Sequence, residues 1–175
     1  MQWALRRKSS IRSPSRQIER GRFFGKQPRS RGFTLVELLI TIAIILTICA
    51  IAVPNLLAAL DQARMAKAVS DIHAIGDEVE EYELVNNRYP TTLADINRDK
   101  FPDPWGNPYR YLNFAGTKGK GAMRKDRFLV PINTFFDLYS MGKDGQSVPP
   151  LTAKVSRDDV IWANDGDYVG KASQF

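Results

Sequence analysis

Residues 38–60 form a run without a single charged side chain, opening on LLITIAIILTICAIAV. At about 1.5 Å of helical rise per residue this run is long enough to cross a hydrocarbon core of about 30 Å. A chain that carries it is expected to be held in a membrane by one helix. Of the 175 residues, those after the run suffice for one modest domain and not for two.

Charge orients the segment. Residues 1–32 hold ten of the 25 Lys and Arg and one of the 19 acids, Glu19, so the remaining residues carry 15 basic groups against 18 acidic ones. A basic flank stays on the cytoplasmic side, which predicts a single pass with the N-terminus in and the C-terminal part out. Without the leader the protein is mildly acidic, so the overall net charge of +6 is not the footprint of a nucleic-acid binder. Cys49 and His73 are the one Cys and the one His. They exclude an intrachain disulfide, a Cys/His zinc site and a thiol redox pair.

An Arg- and Ser-rich transit peptide would not run directly into a spanning segment edged by an acid. A secretory signal could be cut after Ala50-Ile51-Ala52 and release a soluble domain starting at Val53, but the apolar pattern continues through Leu56, Leu57 and Leu60.

Beyond the span, apolar or small residues recur at Leu56, Leu60, Ala63, Ala66, Val69, Ile72, Ile75, Val79 and Tyr82, opposite Asp61, Arg64, Lys67, Asp71, Asp77, Glu78 and Glu81. Spacings of three and four predict that the spanning helix continues as an amphipathic half, giving one element over residues 33–85, roughly 80 Å long. Pro54 removes one backbone donor and is expected to kink or locally melt it. His73, beside the stripe, is read as a half-buried helix residue. Asn86-Asn87 closes the pattern, and a short helix over residues 92–97 follows, with Thr91 as its N-cap. Three prolines and a glycine make residues 101–108 a turn-rich loop. Residues 109–114, 127–130, 134–140 and 159–162 read as short strands. The fold class is therefore α+β: a long N-terminal helix, transmembrane half plus amphipathic half, packed on a small antiparallel β-sheet. Residues 117–127, with Lys118, Lys120, Arg124, Lys125 and Arg127, read as a basic solvent-facing loop that could meet the acidic helix face of a neighbouring subunit. The full phosphate-loop spacing is absent. Asp165-Gly166-Asp167 reads as a solvated acidic turn.

Arg31-Gly32-Phe33-Thr34-Leu35-Val36-Glu37-Leu38-Leu39 resembles the processing motif of type IV pilins and type II secretion pseudopilins. Three further stretches, Tyr89-Pro90-Thr91-Thr92, residues 103–111 (DPWGNPYRY) and residues 137–145 (DLYSMGKDG), are similar to the major pseudopilin of type II secretion. The resemblance implies a pilin-like fold divided into a basic leader over residues 1–32 that is removed, a transmembrane and assembly helix over residues 33–60, and a globular pseudopilin domain over residues 61–175. It implies cleavage after Gly32 and methylation of the new amine on Phe33 by a prepilin peptidase. Glu37 would then act in assembly, its carboxylate neutralised by the N-terminal amine of a neighbouring subunit. An acid placed in lipid normally implies a partner; the plain alternative is that Glu37 snorkels to the head groups.

The implied function is that of a structural subunit: a helical homopolymer, joined by minor pseudopilins and built on an inner-membrane assembly platform, that drives protein secretion. The implied location is the bacterial inner membrane, with the domain in the periplasm and then in the pseudopilus. The resemblance also implies calcium, with Asp144, Asp158 and Asp159 as carboxylate ligands and Met141 offering its backbone oxygen; Ile161 or its neighbour could give another carbonyl. The connection over residues 146–157, with Val148-Pro149-Pro150, is longer than that pattern. The alternatives are a type IV or minor pilin serving adhesion, motility or DNA uptake, and, from another class, an anchored or released enzyme. With one His in the chain, an enzyme has little to offer as a nucleophile–base pair.

Overall fold

The computed structural model describes residues 32–175. The expected leader lies, except for Gly32, outside the described residues. The chain divides into two compact units after Ala43. One helix, α1, runs over Leu35–Asn86 and belongs to both. Residues rich in Leu, Ile and Ala keep it regular, and Asn87 ends it by turning left-handed at φ 52°, a conformation that Asn tolerates better than most residues. Pro54 lies inside the unbroken helix, so the expected local melting does not occur. The helix is long and apolar enough to cross a membrane by length and composition.

Within the second unit, α1 is followed by a short 3-10 turn, Leu93–Ile96, and four strands: β1 (Arg110–Asn113), β2 (Phe136–Ser140), β3 (Val160–Ala163) and β4 (Tyr168–Lys171). They form one antiparallel sheet in the order β1-β2-β3-β4. Tyr111 faces Leu138, Tyr139 faces Ile161 and Trp162 faces Val169. Each strand pairs with its neighbour in sequence, the usual arrangement, although residues 114–135 separate β1 from β2 and residues 141–159 separate β2 from β3.

Alternation along the strands divides the core in two. Phe136 and Leu138 of β2 and Val160 and Trp162 of β3 pack against Ala68, Ile72, Ile75 and Val79 of α1. The opposite face takes Ile161 and Ala163 of β3 with Ile132, Leu151 and Ala172. Each fully buried side chain of this size stabilises by about 1.5–3 kcal/mol relative to exposure. The sheet is thus covered on both sides, by α1 on one and by the 146–157 connection and the C-terminal turn on the other, and all four residues of β3 are buried.

Several expectations are corrected. The buried stripe on α1 runs through Ala68, Ile72, Ile75, Gly76 and Val79, whereas Ala63 and Ala66 are exposed. His73 is exposed, with its ring edge-on to Trp162 at 6.2 Å between centroids. The turn after Pro90 is capped from Thr92, because the Asp95 carboxylate accepts the amides of both Thr91 and Thr92. Residues 127–130 are no strand: Arg127 takes a φ of 45°, and Asp126 and Leu129 close a tight turn on each other. β4 was not expected, since its sequence, Tyr-Val-Gly-Lys, is short and carries a mid-strand glycine.

Candidate functional site

The head of α1 contains the expected processing and assembly residues. Gly32 and Phe33 precede the helix, with no Cβ-sized obstacle near Gly32 and with Phe33 81% exposed. Thr34 is the residue before the first helical position, and Glu37 is the third helical residue. Thr34 Oγ1 accepts the Glu37 amide at 3.2 Å, while the Glu37 carboxylate accepts both the Thr34 amide and the Thr34 hydroxyl at 2.9 Å. This is a capping box, which satisfies orphan donors at the start of a helix reciprocally, and a carboxylate there also favours the positive end of the helix dipole. The Thr-x-x-Glu spacing is the sequence signature of such a box. Leu35, Val36, Leu38, Leu39 and Ile40 around it are all exposed apolar side chains, as a lipid- or partner-facing surface requires.

The residues expected to hold calcium lie in the second unit, where the β2–β3 connection leaves and re-enters the sheet. Gly142 makes the first turn at φ 63°, so tightly that a Cβ there would lie 2.5 Å from the carbonyl oxygen of Asp158. Asp158 Oδ2 accepts the amides of Lys143 at 2.9 Å and Asp144 at 3.2 Å, and Asp144 Oδ1 accepts the Gln146 amide at 2.8 Å. Met141 is half-buried. Asp159 faces the other way, into the interior, where its Oδ2 accepts from Ser147 Oγ at 2.6 Å and from the guanidinium of Arg124. Burial pushes the Asp159 carboxyl up to about 6, with the Ser147 hydroxyl and Arg124 pulling it down.

So placed, these residues do not fit a calcium ion. Six to eight oxygens must converge on such an ion. Here the two neighbouring acids point to opposite sides of the chain, one capping amides and the other bound to a guanidinium. Among the described residues no three His, Cys, Asp or Glu side chains come together to hold a metal.

Arg124 is the functional-looking residue that sequence reasoning missed. It sits in the stretch read as a solvent-facing basic loop, and Lys118, Lys120 and Arg127 are indeed exposed, but Arg124 is 2% exposed. Nothing in its neighbours, Met123 and Lys125, announces that it turns inward.

A third constellation holds the residue 101–108 loop. Asp103, 4% exposed, accepts the amides of Trp105 at 3.0 Å and Asn107 at 2.8 Å through Oδ1, and the Ser140 hydroxyl at 2.5 Å through Oδ2. Asn107 in turn donates to the carbonyl of Gly142 at 3.0 Å. The Asp-Pro-Trp-Gly-Asn and Ser-Met-Gly-Lys-Asp-Gly stretches are therefore one structure, pinned to the end of β2.

An apolar helix with an acid in its first turn, continuing under a small antiparallel sheet, defines the class of pilin-like membrane-anchored subunits. Comparison with known proteins is specific within that class. Residues 27–53 match the prokaryotic N-terminal methylation motif, and residues 55–100 match the family described as type II secretion system (T2SS), protein G. The chain is 35% identical over 136 residues to the type II secretion system core protein G of Pseudomonas aeruginosa, an alignment covering 66% of this chain and 84% of that one. It is 35% identical to the core protein G of Aeromonas hydrophila, covering 68% and 87%, and 32% identical to that of Escherichia coli K12, covering 67% and 85%. No solved structure matches. The chain belongs to the type II secretion system protein G family, the major pseudopilins.

Proposed function

We propose that this chain is a pseudopilin precursor that a prepilin peptidase cuts between Gly32 and Phe33 and methylates on the new Phe33 amine. The mature subunit then assembles through residues 33–60 into a helical filament, together with minor pseudopilins and on an inner-membrane platform, and the filament drives protein export. The chain is a structural subunit and not an enzyme. It enters the membrane once, N-terminus in the cytoplasm, with its domain in the periplasm.

The observation that carries the reading is the head of α1. A Gly-Phe bond stands in an exposed segment directly before a helix whose first turn carries an acid, within a stretch matching the methylation motif. Cutting that bond creates an ammonium group one residue before Thr34, close to the surface on which Glu37 sits. Between copies, such an amine and such a carboxylate supply the opposite charges that an acid in lipid requires. The basic leader and the apolar span support the orientation. The test is the intact mass and N-terminal residue of the protein recovered from membranes of cells with and without a prepilin peptidase. Methyl-Phe33 is expected only with the peptidase; an N-terminus at Val53 would instead mean a released soluble domain.

A further inference from the structure

A buried arginine needs an explanation, because its charge is costly to remove from water unless paired and hydrogen-bonded, and of this guanidinium only Nε lacks a partner. Arg124 has 3% of its side chain exposed and its partner Asp159 has 0%. Its Nη2 donates to Asp159 Oδ2, and its Nη1 donates to Ser147 Oγ at 2.6 Å and to the Val148 carbonyl at 2.7 Å. The guanidinium carbon lies 4.2 Å from the centroid of the Tyr139 ring, in cation–π geometry. Its own backbone amide donates to Asp137 Oδ2 at 2.6 Å, and its carbonyl accepts from Ile132 at 3.1 Å.

These contacts reach three pieces of the fold at once. Asp137 and Tyr139 belong to β2, Asp159 immediately precedes β3, and Ser147 and Val148 belong to the long 146–157 connection. The next residue, Lys125, pairs by its backbone with Pro149 and Leu151 of the same connection. Leu151 then covers Ile161 and Ala163 on the back of the sheet. The longer connection and the inward-turned arginine are thus one unit.

We propose that Arg124 is the resident cation of this domain: its guanidinium ties the 146–157 connection to β2 and β3, so that the domain is complete without calcium. A guanidinium stays protonated at any accessible pH, and its planar fork serves several acceptors in fixed directions, as a divalent ion does with oxygens. The acid that a divalent ion would need, Asp159, already neutralises it. Asp159 Oδ1 is buried without a partner, but an ion placed there would sit against a full positive charge on the same carboxylate.

The test uses the full chain in detergent micelles, with Trp105 and Trp162 as fluorescent reporters of thermal unfolding. Wild type is expected to melt at the same temperature in millimolar calcium chloride and in chelator, and to bind no calcium in a titration. A rise of several degrees with calcium, or saturable binding, overturns the proposal. Arg124→Met, which keeps the apolar stem and removes the charge, is expected to melt about 10 °C lower in chelator. An unchanged midpoint for that variant overturns the proposal as well. Arg124→Lys keeps a charge without the fork and is expected to fall between the two. If Arg124→Met does not accumulate, the wild-type comparison decides alone. None of these outcomes depends on whether the chain is processed or polymerises.

Discussion

The carboxylate of Glu37 accepts a hydrogen bond from the Thr34 hydroxyl at 2.9 Å, and the same hydroxyl accepts the Glu37 amide. The acid that would pair with a neighbour during assembly is therefore engaged within its own helix while the Gly32–Phe33 bond is intact. An unpartnered carboxylate in lipid costs on the order of several kcal/mol; the capping box lowers that cost for the waiting subunit. On the proposed pairing, assembly would exchange this cap for the amine of a neighbouring copy.

Glu37→Ala removes the charge that pairing between copies needs. The variant is expected to enter the membrane and be cut at Gly32 like wild type, yet to yield few filaments, as read from chemical cross-linking between copies in isolated membranes. Filament yield equal to wild type would remove the proposed pairing. Thr34→Val keeps the carboxylate and loses both hydrogen bonds of the Thr34 hydroxyl, about 1 kcal/mol of helix-start stability, so a smaller defect is expected.

Gly76 meets the sheet where a Cβ would lie 2.2 Å from the Trp162 ring. Alanine gains about 1 kcal/mol in helix propensity, but overpacking of a buried ring costs about 1–3 kcal/mol, and at this distance the clash wins. Gly76→Ala is expected to lower the melting temperature, with the near-ultraviolet signal of Trp162 altered. A stabilised variant would contradict this packing.

Asp103→Ala leaves the amides of Trp105 and Asn107 and the Ser140 hydroxyl without their shared acceptor. Hydrogen bonds to a charged group contribute about 1.5–3 kcal/mol each before relaxation, so a loss of about 3 kcal/mol is expected in chemical denaturation. A loss under about 1 kcal/mol would show that the loop holds without it.

Arg98 grips Glu78 with two nitrogens, one at 2.7 Å from Oε2 and the other on Oε1. The hydrogen bond from Arg98 holds the Glu78 carboxyl below its ordinary 4.5. A carboxyl depressed in the folded state adds stability above its unfolded value and loses it as pH falls through the folded one. Stability is therefore expected to decline below about pH 4.5 by a share absent from Glu78→Gln, which itself costs about 1 kcal/mol at pH 7 because the pair is one-third exposed. Parallel pH profiles of wild type and variant would refute this contribution.

Much of this was legible in the chain because it is written locally. The apolar run, the three-and-four spacing that places Ile72, Ile75 and Val79 on one face, and the Asn86-Asn87 stop depend only on near neighbours along the helix. β2 and β3 were visible as short apolar segments, within two residues at each end. The strand expected over residues 127–130 failed because apolar content alone does not supply a pairing partner. β4 was missed because its glycine and lysine lack strand propensity, and its place is set by pairing to Val160–Ala163.

By itself, the sequence determined a helix long and apolar enough to cross a membrane, the acid at its head, and the α+β class, since each follows from hydropathy, charge and periodicity that a single segment carries. Only the tertiary structure decided that Arg124 turns inward and that Asp158 and Asp159 part company. Both outcomes depend on which segments, far apart along the chain, are brought together on the back of the sheet, and buried charges take the partners that packing leaves within reach.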